Sequence, residues 1–208
     1  MDLFIGGLAV SAVLLVITSV TLLIGKFRRN KLNIKQKNWL LITHMFFVII
    51  YVGGIFGMLL LAVLTKFTTD NNLVYASHVF IKRFDHFLVI PGAFGSLITG
   101  IWLAIRTHWG GLTKHYWVLA KWVGNIVAII FGSTYVRIWI SDSLTTSQIT
   151  NGIYPLQNPA YFENRQLLFI GLEICIAILF FLVVISYLKP WGKREKYSRD
   201  LRNSQNLG

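Results

Sequence analysis

The chain is poor in cysteine, proline and acid: it holds one Cys, four Pro and eight Asp or Glu, against twenty Lys and Arg. A single cysteine, Cys175, excludes an intramolecular disulfide and any CxxC pair for zinc or thiol redox chemistry. It sits inside a long apolar run and reads as a packed, inert thiol. A Walker loop, a dinucleotide fingerprint and an HExxH motif are all missing. One cysteine and scattered serines assemble no nucleophilic triad. There is no low-complexity linker, no internal repeat and no loop long enough for a second folded domain.

Apolar runs fill the chain instead. Hydrophobic residues make up 55% of it, gathered at Leu3–Gly25, Trp39–Thr65, His86–Ile105, Tyr116–Ile140 and Leu167–Leu188. At ~1.5 Å per helical residue, each run is long enough to cross a hydrocarbon layer of ~30 Å. A net charge of +12 would suit nucleic acid, but its placement does not. Fourteen of the twenty basic residues fall in 26–38, in the 106–114 connection and in the tail from Lys189. Those are every second connection plus the tail, while the connections 68–82 and 141–166 are nearly neutral. Cationic loops stay on the cytoplasmic side and attract anionic headgroups. The expected architecture is therefore all-α and polytopic: five transmembrane helices in one bundle over 1–192, N-terminus outside, and a basic cytoplasmic tail over 193–208. Its partner is the lipid bilayer, with no nucleic acid. The first run has no basic n-region and is followed at once by Lys26, so it reads as an anchor helix rather than a cleaved signal.

Small residues mark where helices touch. Gly53 and Gly57 form one small-xxx-small pair, Gly100 and Ala104 another, and Gly124, Ala128 and Gly132 recur at helical spacing in the fourth run. The first pair is expected to face away from His44. Pro91-Gly92 is expected to kink the third span and free one carbonyl. Tyr154-Pro155 and Asn158-Pro159 break the second external loop, which is long enough to fold back as a cap.

Ionisable groups inside a bilayer are costly, so they face the bundle interior and often mark a site. Four stand out inside the runs, away from their ends: His44, Lys121, Arg137 and Glu173. His44 shares a helical stripe with Phe47, Val48, Tyr51 and Ile55, a greasy aromatic setting that suits an axial haem ligand. The competing reading is a histidine hydrogen-bonded to the next helix. His115 or His108, in the same half of the bilayer, would supply the opposite donor. Trp117 and Lys121 share one face of the fourth run, where Lys121 would meet a propionate or snorkel to the headgroups. With Tyr51 and Trp122, Trp117 would wall the pocket. His86 opens the third span and is the candidate for a second metal or haem site, with His78 of the external loop as its partner. Arg137 and Glu173 are expected to pair with each other.

The stretch from Trp39 to about Tyr135 resembles a superfamily of small bacterial membrane proteins. These are the HemJ-type protoporphyrinogen oxidases, the CopD copper-resistance proteins and, closest in order and spacing, the DUF2269 integral membrane proteins. The matching features are Trp39-x4-His44, Gly53-Gly54, Arg83, Pro91-Gly92-Ala93, Thr99-Gly100 and Trp117-x3-Lys121, covering about half the chain. The resemblance implies a haem-b-binding or porphyrin-related helical bundle in a bacterial plasma membrane, with His44 as haem ligand and Arg83 and Lys121 as functional cations. The second span ends Leu64-Thr65-Lys66 where the HemJ type ends in Tyr-His, so protoporphyrinogen oxidation itself is not expected. The reading is a haem b protein that passes electrons, as with a quinol or another redox partner, and hence a haem-dependent oxidoreductase. The alternatives are copper or small-molecule handling, and an accessory subunit whose helix faces bind a partner or a second copy of the chain.

Overall fold

The structure is a computed structural model that describes residues 2–27, 31–107, 112, 115–149, 152–189 and 191. Five helices in it are long and apolar enough to cross a membrane. They are α1 (Asp2–Phe27), α2 (Ile34–Phe67), α3 (Asn71–Arg106), α4 (Tyr116–Thr146) and α5 (Pro159–Leu188). The expected all-helical architecture with five long apolar helices is observed. The tail 193–208 lies outside the described residues.

The starts of α2, α3 and α5 are chemically marked. Asn33 builds a capping box with Gln36: its side chain accepts from Gln36 N at 2.8 Å, and its own N–H donates to Gln36 Oε1 at 3.3 Å. Asp70 accepts from Asn72 N at the head of α3, and Asn158 from Ala160 N at the head of α5. Helix α5 stops at Lys189, whose φ of 46° is left-handed and cannot continue a helix.

The connection expected as an external loop over 68–82 is instead helix from Asn71 onward. Its polarity hides an amphipathic stripe: Val74, Ser77, His78 and Ile81, at 3–4 spacing, are buried. Helices α2 and α3, with 34 and 36 residues, run about 50 Å and so overreach a ~30 Å hydrocarbon layer. The overhang lies at the end opposite the basic connections and forms a small polar head. There His78, fully buried, shares a 3.2 Å hydrogen bond with the Tyr161 hydroxyl, and Arg165 Nη1 donates to Thr65 O at 2.9 Å. His78 thus belongs to the core of that head and not to a loop.

Helices α2 to α5 form an antiparallel ring in which α2 touches α3 and α5, and α4 touches α3 and α5. Helix α1 packs outside the ring, over the α3–α4 seam, through Leu14, Thr18 and Thr21. Along the α2–α3 seam the backbones come close at glycines. A Cβ on Gly57 would sit 2.6 Å from Phe84 Cε2, and one on Gly92 would sit 2.7 Å from Tyr51 N. Gly54 meets Leu88 and Val89, Gly95 meets the Phe47 ring and Gly100 meets the His44 ring. The expected Gly53/Gly57 pair needs correcting. Gly53 is exposed with nothing within 4 Å of a Cβ, and Gly54 takes its place. Gly57 and His44 also face the same helix, α3, rather than opposite sides.

The expected break at Pro91 takes the form of a π-helical turn over Asp85–Val89, where Ile90 N–H bonds back to Asp85 O. Proline donates no N–H and crowds the carbonyl four residues earlier, and a wider turn just before it absorbs both. Helix α4 has a matching π turn at Gly132–Val136. This turn shifts the register beyond Gly132, so Tyr135 is exposed while Trp117 at the other end of the helix is buried.

Candidate functional site

A cavity of about 380 Å³ lies toward the basic end of the bundle, between α2, α3, α4 and α5. That volume falls within the ~300–1,000 Å³ of small-molecule sites. Its walls are mostly aliphatic and aromatic: Leu97, Ile101 and Leu103 from α3, Trp117 and Trp122 from α4, Leu179 and Leu182 from α5. Against these stand a few polar side chains, namely His44, Tyr51, Ser96, Lys121, Asn125 and Ser186, with Tyr187 at the edge. No acidic residue is among the described residues that line it.

The state of the His44 ring follows from its neighbours. Thr99 Oγ1 lies 2.6 Å from Gly95 O, and two oxygens that close need a proton between them. The threonine proton is therefore spent on the Gly95 carbonyl. His44 Nδ1, 2.9 Å from the same Oγ1, must then be the donor. Donation by Nδ1 fixes the tautomer and leaves the lone pair on Nε2 of a residue that lines the cavity. The Gly100 position secures the ring's edge, since a Cβ there would stand 3.3 Å from His44 Cε1.

Lys121 Nζ donates to Ser186 Oγ at 2.9 Å. A hydroxyl orients an ammonium but does not neutralise it, so in an apolar wall this cation still calls for an anion. At the basic edge, Lys189 Nζ stands 5.8 Å above the centroid of Trp117, itself part of the wall. Trp122 Nε1 is buried without an acceptor. The cavity thus offers one imidazole lone pair, one cation and flat aromatic surfaces within an apolar shell.

The fold brings together five of the candidate residues singled out in the sequence: His44, Tyr51, Trp117, Lys121 and Trp122. It does not bring the others there. His115 is the cap residue before α4, half-buried, with its ring centroid 6.2 Å from that of Trp117, and it does not line the cavity. His108 lies outside the described residues. Arg83 and His86 are exposed and line neither this cavity nor the smaller one, His86 standing edge-on to Phe87. Among the described residues no three of His, Cys, Asp and Glu converge on one point.

The smaller cavity, about 50 Å³, lies between the two π turns on the far side of Tyr51, which lines both spaces. Asp85, Arg137 and Cys175 line it. The expected Arg137–Glu173 pair is therefore replaced: Arg137 shares this space with Asp85, while Glu173 is exposed on the outer face of α5. Cys175 is buried, as expected of a packed thiol.

Thr99, Asn125 and Ser186 carried no weight as individual residues in the sequence reading. Each is a polar side chain inside an apolar helix, the signal by which His44 and Lys121 stand out. Short hydroxyl and amide groups are ordinary in such helices because they satisfy nearby backbone carbonyls, as Thr99 does. Comparison with known proteins returns no relative: no family model, no curated protein and no solved structure matches the chain.

Proposed function

We propose that this chain is a haem b-binding membrane protein with an electron-transfer or porphyrin-related redox role. In this reading it sits in a bacterial plasma membrane with its basic end cytoplasmic. One observation carries the reading: an imidazole whose Nδ1–H is committed to Thr99, so that Nε2 stays unprotonated, lines an apolar cavity that also holds an uncompensated cation. Haem-ligating histidines have this construction, a second hydrogen bond setting the tautomer and the plane of the ring.

The residues fit the group in chemistry. His44 would hold the iron, Lys121 would meet a propionate, and Trp117, Trp122 and Tyr51 would cover the macrocycle. Lys189 at the basic edge suits a second propionate. One imidazole is present among the described residues that line the cavity, so the reading assigns one iron ligand, His44; His115 does not line the space, and His108 lies outside the described residues. Haem supplies one-electron chemistry when bound; the chain's share is to orient the group, exclude water and set the local charge.

Absorption spectra of the purified protein reconstituted with haemin, oxidised and then reduced with dithionite, test the reading. A Soret band that shifts with an α band on reduction is the expected result. A spectrum of free haemin in detergent in both states overturns it. The cation is tested separately. Lys121→Met keeps the length and removes the charge, and should weaken haemin binding by about 10–100-fold, the scale of one charge-assisted hydrogen bond in an apolar site. Lys121→Arg should recover most of the loss, as read from haemin titrations followed at the Soret band.

A further inference from the structure

The residues that line the large cavity are not equally buried, and the exposed ones all lie on two helices. From α3 and α4, Leu97, Ile101, Ala104, Trp117 and Val118 are at most 7% exposed. From α2 and α5, Leu41, Met45, Val183 and Tyr187 line the same space, yet they are 41%, 49%, 51% and 85% exposed. A residue that lines a cavity and also faces outward forms its rim. All four rim residues belong to the two helices that close one side of the ring.

These helices are joined at the opposite end, where Arg165 of α5 donates to the Thr65 carbonyl of α2. Toward the basic end the cavity separates them. Among the described residues the rim is apolar apart from the Tyr187 hydroxyl, a surface suited to acyl chains rather than to water. In the wall of the same space stands the uncompensated ammonium of Lys121, on α4, held by Ser186 of α5.

We infer that the cavity exchanges its occupant sideways with the bilayer, through an opening between α2 and α5 framed by Leu41, Met45, Val183 and Tyr187. The occupant it is built for is a membrane-dissolved amphiphile with an apolar body and a carboxylate. The body enters between the two helices, and the carboxylate is drawn to Lys121, whose charge is compensated only when the site is filled. This inference rests on the large cavity being the ligand site, and it makes the ligand exchangeable rather than built in during folding. Haemin belongs to this class, as does a fatty acid.

The test uses full-length protein in liposomes, with haemin dissolved in the bilayer and Soret absorbance followed in time. Val183→Trp narrows the rim while keeping His44, Lys121 and Ser186 in the chain. It should slow loading and release together, each roughly tenfold, because an obstructed passage changes both rates and leaves their ratio alone. Leu60→Trp, on the lipid-facing side of the same α2 helix and away from the cavity, should load like the wild type. Equal loading by the wild type and Val183→Trp overturns the inference while haem binding stands, and so does equal slowing by Leu60→Trp. If the wild type binds no haemin, the proposed function falls and a second probe decides the opening. Dibromostearic acid in the same liposomes should quench tryptophan fluorescence saturably. That component should vanish in Lys121→Met and in the Trp117→Phe/Trp122→Phe variant. Quenching that never saturates overturns the inference.

Discussion

Replacing His44 by alanine should abolish haem binding altogether, leaving the spectrum of haemin dispersed in detergent. The loss is expected to be complete because, among the described residues that line the cavity, His44 is the one imidazole and there is no cysteine. Met45 lines the cavity from the rim, half exposed, and is a poor substitute for a nitrogen donor. The partner residue gives a graded result. Thr99→Val keeps the volume but removes the hydroxyl that meets Nδ1, so the ring loses one of the contacts that orient it. Loss of such an outer partner typically weakens a metal site by about 10–100-fold, or ~1.4–2.7 kcal/mol. Thr99→Ser keeps the oxygen and should stay close to the wild type. Haemin titrations of the three variants, with helicity checked by circular dichroism, separate ligation from folding. A wild-type affinity in Thr99→Val would mean that the Thr99 contact does not set the imidazole.

The five helices were legible because lipid imposes a coarse code: long apolar blocks, with charge relegated to the ends. The same code misplaced the helix ends. Polar 68–82 read as a loop because charge blocks locate a membrane boundary, while a helix can run on past the boundary with a new period. The 3–4 spacing of Val74, Ser77, His78 and Ile81 was the available signal. Treating His86 as the start of a span also put Asp85 outside it. This is why Arg137 was matched with Glu173, the acid inside an apolar run, rather than with the carboxylate that shares its cavity.

Within the candidate site, the residues that declared themselves were those expensive or bulky in a bilayer: His44, Lys121, Tyr51, Trp117 and Trp122. What stayed hidden was their pairing. That His44 meets Thr99, and Lys121 meets Ser186, depends on how far antiparallel helices slide along each other. No single-helix pattern contains that offset. His115 is the converse case: it was placed by its half of the bilayer, and the structure puts it at the cap before α4, where it does not line the cavity.

The offset itself rests on Gly92, and substitution there should have the largest effect on folding. A Cβ at Gly92 would lie 2.7 Å from Tyr51 N and 2.8 Å from Tyr51 Cα. Both are backbone atoms, so no rotamer change relieves the clash, and the helices must separate. At Gly57 the obstruction is the Phe84 ring, which can swing aside, so Gly57→Ala should be milder. Overpacking that side chains can absorb costs ~1–3 kcal/mol, and a backbone clash exceeds that range. Gly92→Val is therefore expected to lower thermal stability in detergent severely or to prevent accumulation of folded protein. Gly53→Val, where a Cβ meets nothing within 4 Å, should lose no more than the modest cost of a β-branched residue in a helix. Tyr51 belongs to both cavities, so parting α2 from α3 at this point would also displace His44 from Thr99. A Gly92→Ala protein that still folds should bind haemin more weakly although every lining residue is intact. If Gly53→Val proved the more damaging of the two valine variants, the α2–α3 register described above would be wrong, and the Thr99 contact with it.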